Sequence, residues 1–307
     1  MLPRTVKGLR PALEMLCLLI IGNSGFGQDL DPRAYARVPV DATILISGFS
    51  YSDGGIVTDV TLPLENGLAT VESPSVGIGR TFSLFGQTAQ AFGTVSYAWA
   101  QLSADVQGQG KTTNRSGFND MRFRISMLFC GAPAAGVQEF AKAPRQTILG
   151  TSVTVVAPIG QYSAEKVVNL GANRWAFKPE VALSQPLGER WLFDLYAAVW
   201  LFTANSAFYP GSSICNQDPL LSFQAHISLN VQPTMWLAFD MTYYTGGQSF
   251  VNGVPVDNRQ NNLRIGGTLV LPVGNRHSVK IAASTGAVIR FGADFTTLSI
   301  GWQTTFF

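Results

Sequence analysis

Charge is scarce in this sequence. Asp, Glu, Lys and Arg make up 13% of it, about half the ~25% of ordinary soluble domains. Long apolar runs are also missing. Beyond residue 27 no stretch offers the ~18 uninterrupted apolar residues of a transmembrane helix, which excludes a helical membrane protein. Histidine occurs twice, as His226 and His277, and neither stands in a serine set or beside ligand-spaced Cys, Asp or Glu. No catalytic residue, metal site or cofactor is therefore expected. Gly77-Ile78-Gly79 and Gly246-Gly247 have no helix behind them to cradle a phosphate. Beyond residue 27 the cysteines are Cys130 and Cys215 alone.

The first 27 residues read as a secretory signal peptide. Arg4, Lys7 and Arg10 form a basic start, Leu13 to Ile21 an apolar core interrupted by Glu14, and Gly25-Phe26-Gly27 a small-residue cleavage site before Gln28. The core is too short for a membrane-spanning helix. Removal of this segment lowers the net charge from +2 to about zero, leaving no electrostatic case for nucleic acid or an anionic lipid surface. Low charge, 31 glycines and no helical span suit a wall that is apolar outside in short alternating pieces.

That alternation is present from Thr43 onward. Leu237, Phe239, Met241 and Tyr243 oppose Ala238, Asp240, Thr242 and Tyr244; Leu221, Phe223, Ala225, Ile227 and Leu229 oppose Ser222, Gln224, His226, Ser228 and Asn230. Met121, Phe123, Ile125 and Met127 oppose Arg122, Arg124 and Ser126, and Trp191 to Trp200 alternates likewise. A period of two means strands with one oily and one polar face. A soluble sandwich would alternate too, but would carry more charge outside. The last segment, Asp294 to Phe307, puts Leu298, Ile300, Trp302 and Phe306 on one side, with Phe307 one residue beyond.

The connectors separate the alternatives. Short turns at Ser83–Thr88, Pro186–Glu189, Gln232–Thr234 and Pro272–His277 alternate with longer polar connectors. The long ones are Ser52–Gly67, Ala104–Ser116, Pro158–Asn173, Ser206–Asp218, Gly246–Gln260 and Gly286–Gly292, with a medium one at Cys130–Arg145. Tight periplasmic turns and long extracellular loops are the asymmetry of outer-membrane barrels. Counting gives an all-β fold, a 12-stranded antiparallel transmembrane β-barrel of the bacterial outer membrane. Its strands are expected at 43–51, 68–82, 89–103, 117–129, 146–157, 174–185, 191–205, 219–231, 236–245, 261–271, 278–285 and 294–307. Glu72 and Pro74 interrupt the second. The chain divides into a signal peptide (1–27), a short periplasmic N-terminal segment (28–42) and the barrel (43–307). Aromatics near strand ends, namely Tyr97, Trp99, Trp175, Phe177, Trp191, Phe193, Trp236, Tyr243, Tyr244, Trp302 and Phe306, are expected at headgroup level.

Several stretches then carry a family likeness. They are Asp31-Pro32-Arg33-Ala34-Tyr35, Tyr97-Ala98-Trp99-Ala100, Ser116-Gly117-Phe118-Asn119-Asp120-Met121-Arg122-Phe123-Arg124 and Ala157-Pro158-Ile159-Gly160-Gln161-Tyr162. With Asn169-Leu170-Gly171-Ala172-Asn173-Arg174-Trp175-Ala176-Phe177-Lys178-Pro179-Glu180 and Tyr243-Tyr244-Thr245-Gly246-Gly247, the chain resembles the bacterial outer-membrane transporters named for the meta-pathway of phenol degradation. The likeness runs from about Asp31 to the C-terminus. It implies an outer-membrane transport protein linked by family name to aromatic-compound catabolism. It also implies that the aromatic C-terminal strand is where the barrel assembly machinery binds. A family name does not transfer a substrate.

The polar strand faces define a lumen holding Arg122, Arg124, Lys178, Glu180, Asp194, His226, Asp240, Arg264 and Lys280. Mixed charge in a narrow bore can pair into a plug or constrict a pore and select its solute. The expected function is passive uptake of small hydrophobic or aromatic solutes. The alternative is a structural or surface-interaction barrel with a plugged lumen. Membrane lipid is the expected surrounding. Cys130 at the turn end and Cys215 in a loop at the other end are expected as separate thiols, since a disulfide needs Cα atoms within ~7 Å.

Overall fold

A computed structural model describes residues 30–57, 64–106, 108–232 and 234–307; the expected signal peptide lies outside them. The elements are β1 (Thr43–Val57), β2 (Leu64–Leu84), β3 (Gln87–Val106), β4 (Gln109–Phe118), β5 (Met121–Cys130), helix α1 (Val137–Lys142), β6 (Ile148–Ala157), β7 (Ala176–Leu187) and β8 (Trp191–Phe202). There follow β9 (Asn205–Phe208), β10 (Ser213–Gln217), β11 (Leu220–Gln232), β12 (Met235–Gly246), β13 (Ser249–Val251), β14 (Val254–Pro255), β15 (Gln260–Val273), β16 (His277–Val288) and β17 (Gly292–Phe306).

The wall is an antiparallel ring in the order β2-β1-β17-β16-β15-β12-β11-β8-β7-β6-β5-β3, closed by the pairing of β2 with β3. β4 and β5 are two halves of one wall strand. Both pair with β3, through Tyr97↔Phe118 and Thr94↔Arg122, and they part at Asn119-Asp120. The result is the expected 12-stranded barrel. Its seam runs unbroken from Thr43↔Phe306 to Val57↔Gly292, which pairs the first and last wall strands where an unpaired N–H or C=O in lipid would cost several kcal/mol.

The strand phases follow the sequence pattern. Leu237, Phe239, Met241 and Tyr243 are exposed on the outside, while Ala238, Asp240, Thr242 and Tyr244 are buried inside. Pro74 does not end β2. It pairs with Phe49 of β1, while the β2–β3 ladder passes over Ser73 and Pro74. There the Ser73 hydroxyl donates to the Tyr97 carbonyl at 2.9 Å, replacing a donor that proline lacks. The turn from β2 to β3 uses Phe85 and Gly86, both at positive φ, as a two-residue hairpin with primed geometry requires.

Four expectations are corrected. Ala104–Ser116 is a hairpin, not a loop, because β4 pairs with β3 up to Val106↔Gln109. Similarly, β16 and β17 extend to within a short turn of each other, leaving no long connector at Gly286–Gly292. The polar residues that suggested loops there sit on extended strand. Ser206–Asp218 and Gly246–Gln260 also carry strands, for β14-β13-β10-β9 form a second, four-stranded sheet around buried Phe208 and Cys215. Finally, Trp236 and Tyr244 share the inward phase of Asp240 and leave the outer girdle. Cys130 is exposed, Cys215 buried, and both are free thiols.

Candidate functional site

The nine lumen residues singled out from the sequence all lie on inward phases of the wall, in two linked groups and three separate positions. In the first group Glu180 of β7 is the centre. Lys178 Nζ lies 2.9 Å from its Oε2 and Arg124 NH2 3.3 Å from its Oε1, and the Gln224 amide donates to Oε2 at 3.4 Å. Lys178 also lies over the Trp200 ring at 5.4 Å. In the second group His226 Nδ1 meets Asp240 Oδ1 at 2.8 Å, and the Thr268 hydroxyl donates to Asp240 Oδ2 at 2.7 Å. Asp194 lies beside His226 across the β8–β11 ladder, and Asp240 on its other side. All three are almost wholly buried.

The remaining residues serve other parts of the bore. Arg264 donates to the carbonyls of Ala293 (3.2 Å) and Phe295 (2.6 Å) and ties β15 to the start of β17. Arg122 faces inward near Asp120. Lys280 Nζ binds Asp31 Oδ1 at 2.9 Å.

Asp31 belongs to the segment ahead of the barrel, and this segment does not stand clear of the wall. Leu30 reaches Gly266 of β15, where an added Cβ would lie 2.8 Å from its Cδ1. Arg33 donates to Asn230 Oδ1 at 2.7 Å and stacks over Trp236 at 4.4 Å. The Tyr35 hydroxyl lies 2.7 Å from Ser152 Oγ and donates to Glu180 Oε1 at 2.9 Å. Its ring meets Tyr196 edge-on at 5.1 Å and carries Arg124 at 4.7 Å. Gly150 makes room for that ring, since a Cβ there would lie 2.4 Å from it. These contacts reach inward faces from β5 round to β16, so residues 30–35 cross the bore.

Electrostatics fits the placement. Enclosure raises the Asp31 carboxyl, but the Lys280 ammonium, helped by Arg124, outweighs it and holds the group at about 2. Burial lowers the Arg33 guanidinium to about 10, so it remains charged at neutral pH. Burial raises the Tyr35 phenol to about 12, which keeps its proton available for donation.

A second segment enters from the loop end. Val168 and Leu170, in the connector between β6 and β7, pack against the inward residues Ala69, Val71, Ala98, Ala100, Leu102 and Phe295. Asp120, at the break between β4 and β5, clamps this connector by accepting from the amides of Gly160 (2.9 Å) and Ala172 (2.8 Å). Arg115 adds a bond to the Val168 carbonyl at 3.0 Å.

Sequence phase supplied the wall residues and put Gln224 on the polar face without singling it out, but missed Asp31, Arg33, Tyr35, Ser152 and Asp120. One signal was available. The runs Asp31–Tyr35, Ser116–Arg124, Ala157–Tyr162 and Asn169–Glu180 supply these contacts, Tyr35 and Arg124 meeting Glu180 and Asp120 holding the Gly160 and Ala172 amides.

A family model described as MetA-pathway of phenol degradation matches residues 47–302. The chain belongs to that family. No curated protein matches it by sequence. Among solved structures, the COG4313 outer membrane channel from Pseudomonas putida F1 is similar with a TM-score of 0.75 and 20% identity, over 91% of this chain and 100% of that one. The β domain of the Bordetella autotransporter BrkA has a TM-score of 0.54 and 14% identity over 87% and 100% of the two chains. The transport unit of AIDA-I from Escherichia coli has 0.51 and 12% over 96% and 97%. At these identities the likeness establishes the fold: this family member has the fold of an outer-membrane β-barrel.

Proposed function

We propose that the protein is a passive outer-membrane channel for small hydrophobic or aromatic solutes, with no chemical step. The observation that carries this reading is how the bore is filled. Residues 30–35 lie outside every wall ladder and hold to the bore mainly through side chains, so the obstruction can shift while the ring stays closed. The loop end faces the exterior and the turn end the periplasm. The signal peptide is cleaved after Gly27, and the segment 28–42 enters the lumen from the periplasmic side. Arg122, Arg124, Lys178 and Glu180 form the constriction, and Asp194, His226, Asp240, Arg264 and Lys280 the polar lining around it. The C-terminal strand ending at Phe306 is the recognition element for the assembly machinery.

The test compares the mature chain with a variant lacking residues 28–42 in planar bilayers, with liposome swelling in phenol and benzoate. A small conductance that rises on deletion, together with swelling, supports the channel. A filled lumen also favours a second reading, a structural or surface-interaction barrel. Absence of conductance and swelling in both proteins would select it.

A further inference from the structure

The outer face of the wall carries a feature unrelated to the bore. β2, β3 and β4 together form a groove of about 410 Å³ lined by Thr70, Glu72, Trp99, Gln101, Asn114 and Ser116, with Ala100 and Arg115 behind. Two cross-strand rungs build it. The lower is Glu72–Trp99–Ser116 and the upper Thr70–Gln101–Asn114. Strands ~4.8 Å apart and rungs ~7 Å apart give a face about the size of one or two six-membered sugar rings.

The chemistry of this face is unusual for a barrel exterior. Trp99 is 49% exposed and is buttressed by Tyr97 at a centroid distance of 5.0 Å; Tyr97 in turn meets Phe118 edge-on at 5.3 Å. Around the indole stand a carboxylate, two amides and hydroxyls. Among the described residues, the side chains of Glu72, Gln101, Asn114 and Ser116 make no hydrogen bond or ion pair with protein. Acyl chains cannot satisfy such groups. The carboxylate of Glu72 disfavours a phosphate, and Arg115 behind it is engaged with the Val168 and Asn114 carbonyls. What remains is a ligand with an apolar C–H face for the indole and hydroxyls for the rim.

We propose that this groove binds a sugar ring of an outer-leaflet glycolipid. The occupant follows from the position. In an outer-membrane barrel whose loop end faces outward, as proposed above, the rungs lie where the lipid-facing aromatics give way to the polar β3–β4 hairpin. This is the level of headgroups, and sugar is the headgroup chemistry that matches the rim. The bound sugar stacks on Trp99 and places its hydroxyls against Glu72, Gln101 and Asn114.

Native mass spectrometry of the mature protein in detergent, titrated with deep-rough lipopolysaccharide, phosphatidylethanolamine or free glucosamine disaccharide, tests this. Trp99→Ala, and separately Glu72→Ala with Gln101→Ala, should weaken lipopolysaccharide binding about tenfold, a loss of about 1.4 kcal/mol. Trp191→Ala, exposed on the outside at the turn end, should leave it unchanged, as should phosphatidylethanolamine binding in every variant. Unaltered lipopolysaccharide affinity in both groove variants overturns the proposal. An equal loss in Trp191→Ala overturns it as well, by showing an unspecific aromatic belt. Free disaccharide binding as tightly as the glycolipid would overturn the assignment to lipid. Bilayer conductance measured on the same variants reads the channel function separately, so either idea can fail alone.

Discussion

Tyr35 donates its hydroxyl proton to Glu180 at 2.9 Å, and through that bond a residue outside the wall joins the charge cluster of the wall. Glu180 also binds Lys178 and Arg124. The hydroxyl therefore enters an arrangement in which a carboxylate already holds two cations, and the phenol ring packs under Arg124.

Tyr35→Ala should loosen the obstruction while leaving the wall intact. A hydrogen bond to a charged group contributes about 1.5–3 kcal/mol, and the substitution also removes a fully buried ring. Single-channel recordings should show a higher or longer-lived open conductance, with Tyr35→Phe intermediate. Conductance identical to the parent in both would assign docking to other residues.

Docking should be indifferent to pH across the neutral range. The Asp31 carboxyl drops from 3.8 free to about 2 docked. Its contribution is fully present above about pH 4 and disappears as pH falls through 2. Conductance should stay flat from about pH 8 to 5, with opening only in strong acid. A transition between pH 6 and 7 would overturn the assignment of docking to the Asp31–Lys280 pair.

The two faces of β12 should respond differently. Phe239 is 54% exposed to lipid, and an arginine near the bilayer midplane costs about 2–4 kcal/mol. Asp240→Asn keeps an acceptor for Thr268 and weakens only the bond to His226. Urea unfolding in lipid vesicles should therefore show the larger loss for Phe239→Arg. The reverse order would mean that β12 is out of phase by one residue.

Asp120→Ala should release the connector between β6 and β7. It removes the acceptor of the Gly160 and Ala172 amides, each bond to a charged group being worth about 1.5–3 kcal/mol. Limited proteolysis on folded protein should then cut within residues 158–173 several-fold faster. Equal rates would show that Val168 and Leu170 hold the connector unaided.

The wall was legible because lipid on one side and a polar bore on the other impose a period of two, and Leu237 to Tyr244 or Leu221 to Asn230 display it plainly. Strand ends were less legible. Above the membrane both faces of a strand are wet, so Ala104–Ser116 has a loop's composition while keeping a strand's hydrogen bonds. The lumen was half legible. Phase identified Glu180 and Arg124, but Tyr35 sits in no periodic element, and its partners come from β5, β6, β7 and β8. No local pattern relates residues that meet only when a ring closes around them.

The seam gives the barrel an asymmetry in time. β1 and β17 are the first and last wall strands, so their ladder can form only when every other strand has been made. Yet it runs the full length from Thr43↔Phe306 to Val57↔Gly292, whereas the adjoining hairpin of β16 and β17 pairs only from His277↔Thr304 to Ser284↔Thr297. The join made last is thus longer than the hairpin beside it. A pull on the C-terminal strand should peel β16 from β17 before it parts β17 from β1, so disassembly need not retrace assembly.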